Sequence, residues 1–210
     1  MIGYDVSQHM VAAAAGHTDI ENVSFKQHDL REGIPYADRS ADLVVAGLGT
    51  ASDILGGQAF VDEIERVLKP EGRFMLSFYN KGALIYTPGF VSTDPILKAE
   101  INVDEDWLTV YVPGKTDNKS DTPPPTHVQG NYYPVYARAY TQGEVETMVA
   151  SMHQTVQVSY PVTACVISRT TLEESPALLE QVEKHDRSLT KEATGAYWLV
   201  CGTRNHPVDW

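Results

Sequence analysis

The stretch Met1-Ile2-Gly3-Tyr4-Asp5-Val6-Ser7 decides how this chain is read. It starts as a short apolar run that suits a buried β-strand. An acid stands near its end, at Asp5. Ser7 is a good helix N-cap, because its hydroxyl can accept a hydrogen bond from a free backbone N–H of the first turn. Gln8–Ala15 follows as a helix former, and Gly16 closes it. A strand that ends on an acid and turns directly into a helix suits a nucleotide-binding α/β sheet.

Further along, the same alternation repeats. Val23–Gln27 alternates apolar and polar residues and predicts a strand ending at His28-Asp29-Leu30. Arg31–Ser40 carries Gly33, Pro35 and several charges, so it is a connection. Asp42–Gly47 is an apolar strand of the kind found inside parallel sheets. After the turn Gly47-Leu-Gly-Thr-Ala-Ser52, a helix sets Phe60, Val61, Ile64 and Leu68 on one face. Pro70 and Gly72 end it, and Phe74–Phe78 is the next strand. Strands alternating with helices at this spacing predict a mostly parallel sheet with helices on both faces.

The pattern changes near Lys81. Leu108–Val112 and Tyr132–Ala139 read as strands, separated by the polar loop Pro113–Gly130 with its three consecutive prolines. A loop of that length is either functional or disordered. Order returns at Thr141. Gly143–Met152 is a helix with Val145, Met148, Val149 and Met152 inward. Val156–Tyr160 is a strand, Leu172–Leu189 a charged amphipathic helix, and Ala196–Gly202 a final apolar strand. The direction of the last two strands is left open by the sequence.

Composition narrows the function. The 210 residues suit one domain with a real core. Sixteen basic against twenty-eight acidic residues give a net charge of −12, which repels nucleic-acid phosphates and favours a small or cationic substrate. The two cysteines, Cys165 and Cys201, lack ligand spacing and read as reduced thiols of a cytoplasmic protein. No stretch has the length and apolarity of a membrane span, and no basic flank marks a signal peptide. Metal-ligand spacing, a nucleophile elbow and a Walker loop are all missing.

With these elements in order, the chain resembles a class I S-adenosylmethionine-dependent methyltransferase. Three stretches carry the likeness: Ile2–Ser7 with its helix; His28-Asp29-Leu30 with Ile34–Val45; and Glu63-Ile-Glu-Arg66-Val-Leu-Lys-Pro70-Glu-Gly72-Arg-Phe. The third is the most specific. The resemblance covers residues 1–80 well, a cofactor-side half. Residues 140–210 would be a closing strand-helix-strand, and 81–139 an inserted substrate or lid region within one domain. It implies a Rossmann-like α/β fold, S-adenosylmethionine as cofactor and methyl transfer to a small molecule.

The resemblance also assigns residues. Asp5, with Val6 beside it, would accept from the ribose hydroxyls, since one carboxylate can serve two vicinal donors. Its alternative role is an acid favouring the dipole of the following helix. His28, Asp29 and Leu30 would flank the adenine, Asp29 accepting from its amino group. Gly47, Gly49 and Thr50 stand at the carboxyl end of a central strand, where open α/β sheets bind ligands. Tyr79 and Asn80 follow the fifth strand of the family and would face the substrate. Tyr132 and Tyr133, with Tyr136 and Tyr140, would line an acceptor or cation site, or form the core of the insertion. His127 and His153 are the histidines nearest that region, and no catalytic base is identified.

The family's first strand and its glycine-rich turn have no counterpart before Asp5. The chain is then a piece of a longer polypeptide, or the second and fourth family strands pair directly, or another chain supplies the strand. Truncation is the expectation, because Met1 falls inside an apparent strand. A gapped sheet favours self-association into a homo-oligomer. A non-catalytic, methyltransferase-like binding subunit or fragment remains the alternative to an enzyme. A nicotinamide-dependent dehydrogenase shares the acid-ended strand but not the Val67–Gly72 turn.

Overall fold

In the computed structural model the described residues are 1–54, 56–83, 98–102, 107–113, 132–150, 152, 154–162, 180 and 195–204. The first unit is strand β1 (Ile2–Asp5), helix α1 (Gln8–Gly16) and strand β2 (Ser24–Gln27). Ser7 caps α1, its side chain accepting from the Met10 N–H at 3.4 Å. β1 and β2 pair in parallel, Ile2 opposite Ser24 and Asp5 opposite Gln27. Parallel neighbours need a crossover, and α1 supplies it.

The larger sheet is built on β4 (Leu68–Asn80), which follows β3 (Ala41–Ala46) and the helices α2 (Thr50–Asp53) and α3 (Gly57–Val67). α3 buries Phe60, Val61, Ile64 and Val67, and Leu68 beyond it, in the core with Phe74, Leu76 and Phe78. Each such side chain is worth roughly 1.5–3 kcal/mol of burial. β3 pairs in parallel with β4. The expected strand Phe74–Phe78 is the middle of a longer one. Its register slips between Ala41–Leu68 and Leu43–Arg73, and Glu71 takes φ +64, so Pro70-Glu71-Gly72 is a bulge rather than the end of an element.

On its other edge β4 pairs antiparallel with β9 (Tyr197–Arg204), and β9 pairs antiparallel with β8 (Gln154–Val162). This fixes the direction that the sequence left open. Helix α4 (Gln142–Ala150) turns Val145, Met148 and Val149 inward, with Met152 beyond its end, as the periodicity predicts. In the inserted region β5 (Lys98–Asn102), β6 (Trp107–Pro113) and β7 (Tyr132–Tyr140) form an antiparallel meander. β7 reaches β4 at Tyr79 and Asn80. His127, His153, Cys165 and the loop after Pro113 lie outside the described residues, and of the Leu172–Leu189 helix only Glu180 is described.

The two sheets do not close on each other. Among the described residues β1 pairs only with β2, and β3 only with β4. Between the free edges runs a groove of about 600 Å³, walled by Met1–Tyr4 and Ala41–Gly47 and backed by Phe60 and Val67. Direct pairing of these two strands is therefore not what occurs. Leu43 and Val45 stay more than half exposed beside the groove.

Candidate functional site

At the carboxyl ends of β1 and β2 lies a cleft of about 270 Å³. β1 brings Asp5 to its wall. One oxygen of that carboxylate, Oδ1, accepts the Ser7 N–H at 2.7 Å, which fixes the side chain at the start of α1. Among the described residues Oδ2 has no hydrogen-bond partner. Asp5 thus fixes the start of α1 through one oxygen and stands in the lining of the cleft.

β2 delivers His28, Asp29 and Leu30. Asp29 caps a 3-10 turn at Leu30–Glu32, accepting from the Arg31 N–H at 3.0 Å. The Arg31 Nε donates to both Asp29 oxygens, at 2.9 and 3.0 Å. These bonds, with the Arg31 charge, hold the Asp29 carboxyl down at about 2, so it is ionised across the physiological range. Arg31 Nη2 also donates to Oδ2 at 2.5 Å, so each Asp29 oxygen already meets two Arg31 contacts, and an adenine amino group would have to share or displace one of them. His28 is oriented by an Nε2 contact of 2.8 Å to the Gly33 carbonyl and meets the Tyr4 ring edge-on at 6.0 Å.

β3 ends in the turn Gly47-Leu48-Gly49. Leu48 and Gly49 both take positive φ, +55 and +83. The Gly49 N–H donates to the buried Ser77 Oγ at 2.7 Å, and the Tyr79 N–H donates to the Ser52 Oγ at 2.8 Å. These two bonds tie the short helix α2 onto the end of β4. Thr50 opens the helix, its hydroxyl donating to the Gly47 carbonyl at 2.7 Å, and Asp53 closes it. Both line the cleft. Surrounding protein pushes the Asp53 carboxyl up to about 6 by taking away part of its hydration.

A network beside the adjoining groove fixes Ile34 and Tyr36 in its lining. The Glu63 carboxylate accepts the Ile34 N–H at 2.9 Å and pairs with Arg66 at 2.8 Å. Arg66 also donates to the carbonyls of Ile34 and Tyr36 and to Asp38. The planar guanidinium therefore stitches residues 34–38 to α3. Glu63 and Arg66, within the Glu63–Phe74 stretch, thus form a clamp on residues 34–38.

Of the residues expected in the site, Asp5, Val6, His28, Asp29, Leu30 and Thr50 line this one cleft. Gly47 lines the adjoining groove, which Thr50 shares. Gly49 sits under the Tyr79 ring. Asn80 is buried; its amide donates to the Gly195 carbonyl at 2.7 Å and accepts from the Gly82 N–H at 2.9 Å. Tyr132 and Tyr133 start β7, and their side chains lie outside the described residues. Sequence reasoning missed Tyr4, Arg31, Asp53 and Ile54, which also line the cleft. Asp53 had one signal: it stands three residues after Thr50, the spacing that shares a helix face. No cluster of metal-binding side chains occurs among the described residues, and none of their helices is long and apolar enough to cross a membrane.

The sequence profile of a family described as a methyltransferase domain matches residues 1–139. No curated protein matches the chain. Solved structures share the fold at low identity. A putative methyltransferase of Haloferax volcanii, solved in complex with the Trm112 methyltransferase activator, is 17% identical, with a TM-score of 0.58 over 100% of this chain and 73% of its own. An S-adenosylmethionine-dependent methyltransferase from Clostridium acetobutylicum gives 0.59 at 11% identity, over 98% of this chain and 75% of its own. One from Mesorhizobium loti gives 0.54 at 18% identity, over 97% and 79%.

Proposed function

The chain belongs to the methyltransferase-domain family, and from that premise we propose that it transfers a methyl group from S-adenosylmethionine to a small-molecule acceptor. The observation that carries this reading is the Asp5 carboxylate, anchored through one oxygen with the other open, in one cleft with Asp29 and Thr50. That set fits the cofactor. Asp5 Oδ2 would accept from the ribose hydroxyls, and Asp29 from the adenine amino group. Val6, Leu30 and Ile54 offer apolar contact to the base. Thr50 and Gly47 would border the methionine side.

The bound cofactor supplies an electrophilic methyl carbon on a sulfonium. The chain has to hold the donor, line up the acceptor and exclude water. Positioning of that kind can supply about 7–11 kcal/mol of barrier reduction. A net charge of −12 works against a nucleic-acid acceptor and suits a small neutral or cationic one. The free thiol of Cys201 fits a reducing compartment, and the cytoplasm is the proposed setting. The free edges of β1 and β3 favour self-association.

A second reading, a binding subunit without turnover, draws on the groove between β1 and β3, whose open edges and exposed Leu43 and Val45 adjoin the cleft. Calorimetric titration with S-adenosylmethionine separates the two. The enzyme reading expects micromolar dissociation constants. Absence of binding at millimolar cofactor contradicts it and leaves the binding subunit.

A further inference from the structure

Asp29 and Arg31 line the same cleft, and each oxygen of the carboxylate is taken up by the arginine. Oδ1 accepts the Arg31 backbone N–H at 3.0 Å and Nε at 2.9 Å; Oδ2 accepts Nε at 3.0 Å and Nη2 at 2.5 Å. Among the described residues the Arg31 side chain has no other hydrogen-bond or ion-pair partner. Arg66, by contrast, ties two segments together through Glu63, Asp38 and two backbone carbonyls. Arg31 reaches only a residue two positions away, so its side chain joins no distant parts of the fold. It is 58% exposed, whereas the Asp29 side chain is 25% exposed. The carboxylate is the fixed member of the pair and the guanidinium the movable one.

We infer that Arg31 is an intramolecular competitor for the adenine amino group and so sets how well the base site distinguishes adenine from other purines; this rests on the methyl-transfer reading above. A carboxylate oxygen accepts about two hydrogen bonds, so both Asp29 oxygens are filled. An incoming amino group gains a bond there only by displacing a guanidinium N–H. The guanidinium brings a charge to that contest and the amino group brings none. An exposed ion pair nonetheless contributes little, roughly fivefold or less in an equilibrium constant, so a ligand already held at Asp5 can displace it.

Hypoxanthine carries a carbonyl oxygen where adenine carries the amino group. That oxygen would displace nothing. Arg31 Nη1 makes no hydrogen bond among the described residues and can donate to it. With Arg31 in place the preference for adenine is therefore muted. Without it, the Asp29 carboxylate is open to an amino donor and repels a carbonyl. The backbone N–H of residue 31 still holds Oδ1, so the carboxylate keeps its place when the side chain is removed.

The test titrates S-adenosylhomocysteine and S-inosylhomocysteine into the whole chain by calorimetry. Both carry no net charge, so loss of a cation does not by itself change their attraction. Wild type should separate the two by less than about threefold. Arg31→Ala should bind S-adenosylhomocysteine about threefold more tightly than wild type and should separate the two ligands at least tenfold. In an Asp29→Asn background, Arg31→Ala should leave S-adenosylhomocysteine affinity within about twofold, because the competition runs through the carboxylate. Raising salt from about 0.05 to about 0.5 M screens the exposed pair and should tighten S-adenosylhomocysteine binding in wild type but not in R31A. Unchanged or weaker S-adenosylhomocysteine binding by R31A, or a gain that persists with Asp29→Asn, overturns the competition. Binding of neither ligand by any of these proteins overturns the cofactor reading itself.

Discussion

The ring of Tyr79 fills the space where a side chain at Gly49 would stand, with a Cβ there placed 2.6 Å from the nearest ring atom. Gly49 also sits at φ +83, where a non-glycine residue is strained. Gly49→Ala should therefore destabilise the fold by about 2–4 kcal/mol, strain and overpacking together. Urea denaturation checks this. Gly47→Ala is the control, because nothing lies near that position, and it should cost much less.

Arg66 is the second test of the frame. Removing it strips the donors from the Ile34 and Tyr36 carbonyls and leaves Glu63 without its cation. The group is half-buried, so Arg66→Ala should cost roughly 1–3 kcal/mol. Hydrogen exchange should quicken over residues 34–38 more than over β4.

Methyl transfer should depend on pH through Asp53. Its carboxyl is raised to about 6, so the carboxylate form grows in as pH rises through that value. The same shift means the protonated form is favoured by the fold, so this group's contribution to stability is lost as pH rises through 6. Tyr4, Asp5, His28, Asp29 and Arg31 share the cleft and carry charge or protons of their own. Rate against pH should show a rising limb near 6 that is absent in D53N. A limb unchanged in D53N assigns it to another group.

The open edge of β3 makes a prediction about association. Leu43 and Val45 are more than half exposed on a strand that, among the described residues, pairs on one edge only. Val45→Lys should leave thermal stability within about 0.5 kcal/mol, as for other exposed positions, and reduce self-association in sedimentation velocity. Unchanged association would place any interface elsewhere.

Much of this was legible from pattern alone. The acid-ended strand, the Ser7 cap and the apolar face of α3 follow from residue spacing, and the positions of Asp5, Asp29 and Thr50 come with the strand ends. The direction of β9 was not legible, because its apolar run carries no signal that separates parallel from antiparallel pairing. β5 reads Lys-Ala-Glu-Ile-Asn, which alternates, but four of its five residues are of types depleted in strands, so the run gives a weak signal. Asp53 was overlooked because its one signal, the three-residue spacing from Thr50, falls in a four-residue helix too short to show a repeated period. Asn80 stood where a substrate ligand was expected, and only contacts 115 residues away in sequence reveal that it binds backbone.

The central claim is that Asp5 holds the cofactor's ribose. S-adenosylhomocysteine and its 2′-deoxy analogue, each titrated into the wild-type chain and Asp5→Ala, test it most directly. Wild type should lose at least tenfold in affinity for the deoxy analogue. Asp5→Ala should bind the parent compound at least tenfold more weakly than wild type does, with an unchanged circular dichroism spectrum, and should no longer distinguish the two ligands. Equal binding of both ligands by wild type, or full discrimination by Asp5→Ala, contradicts the account.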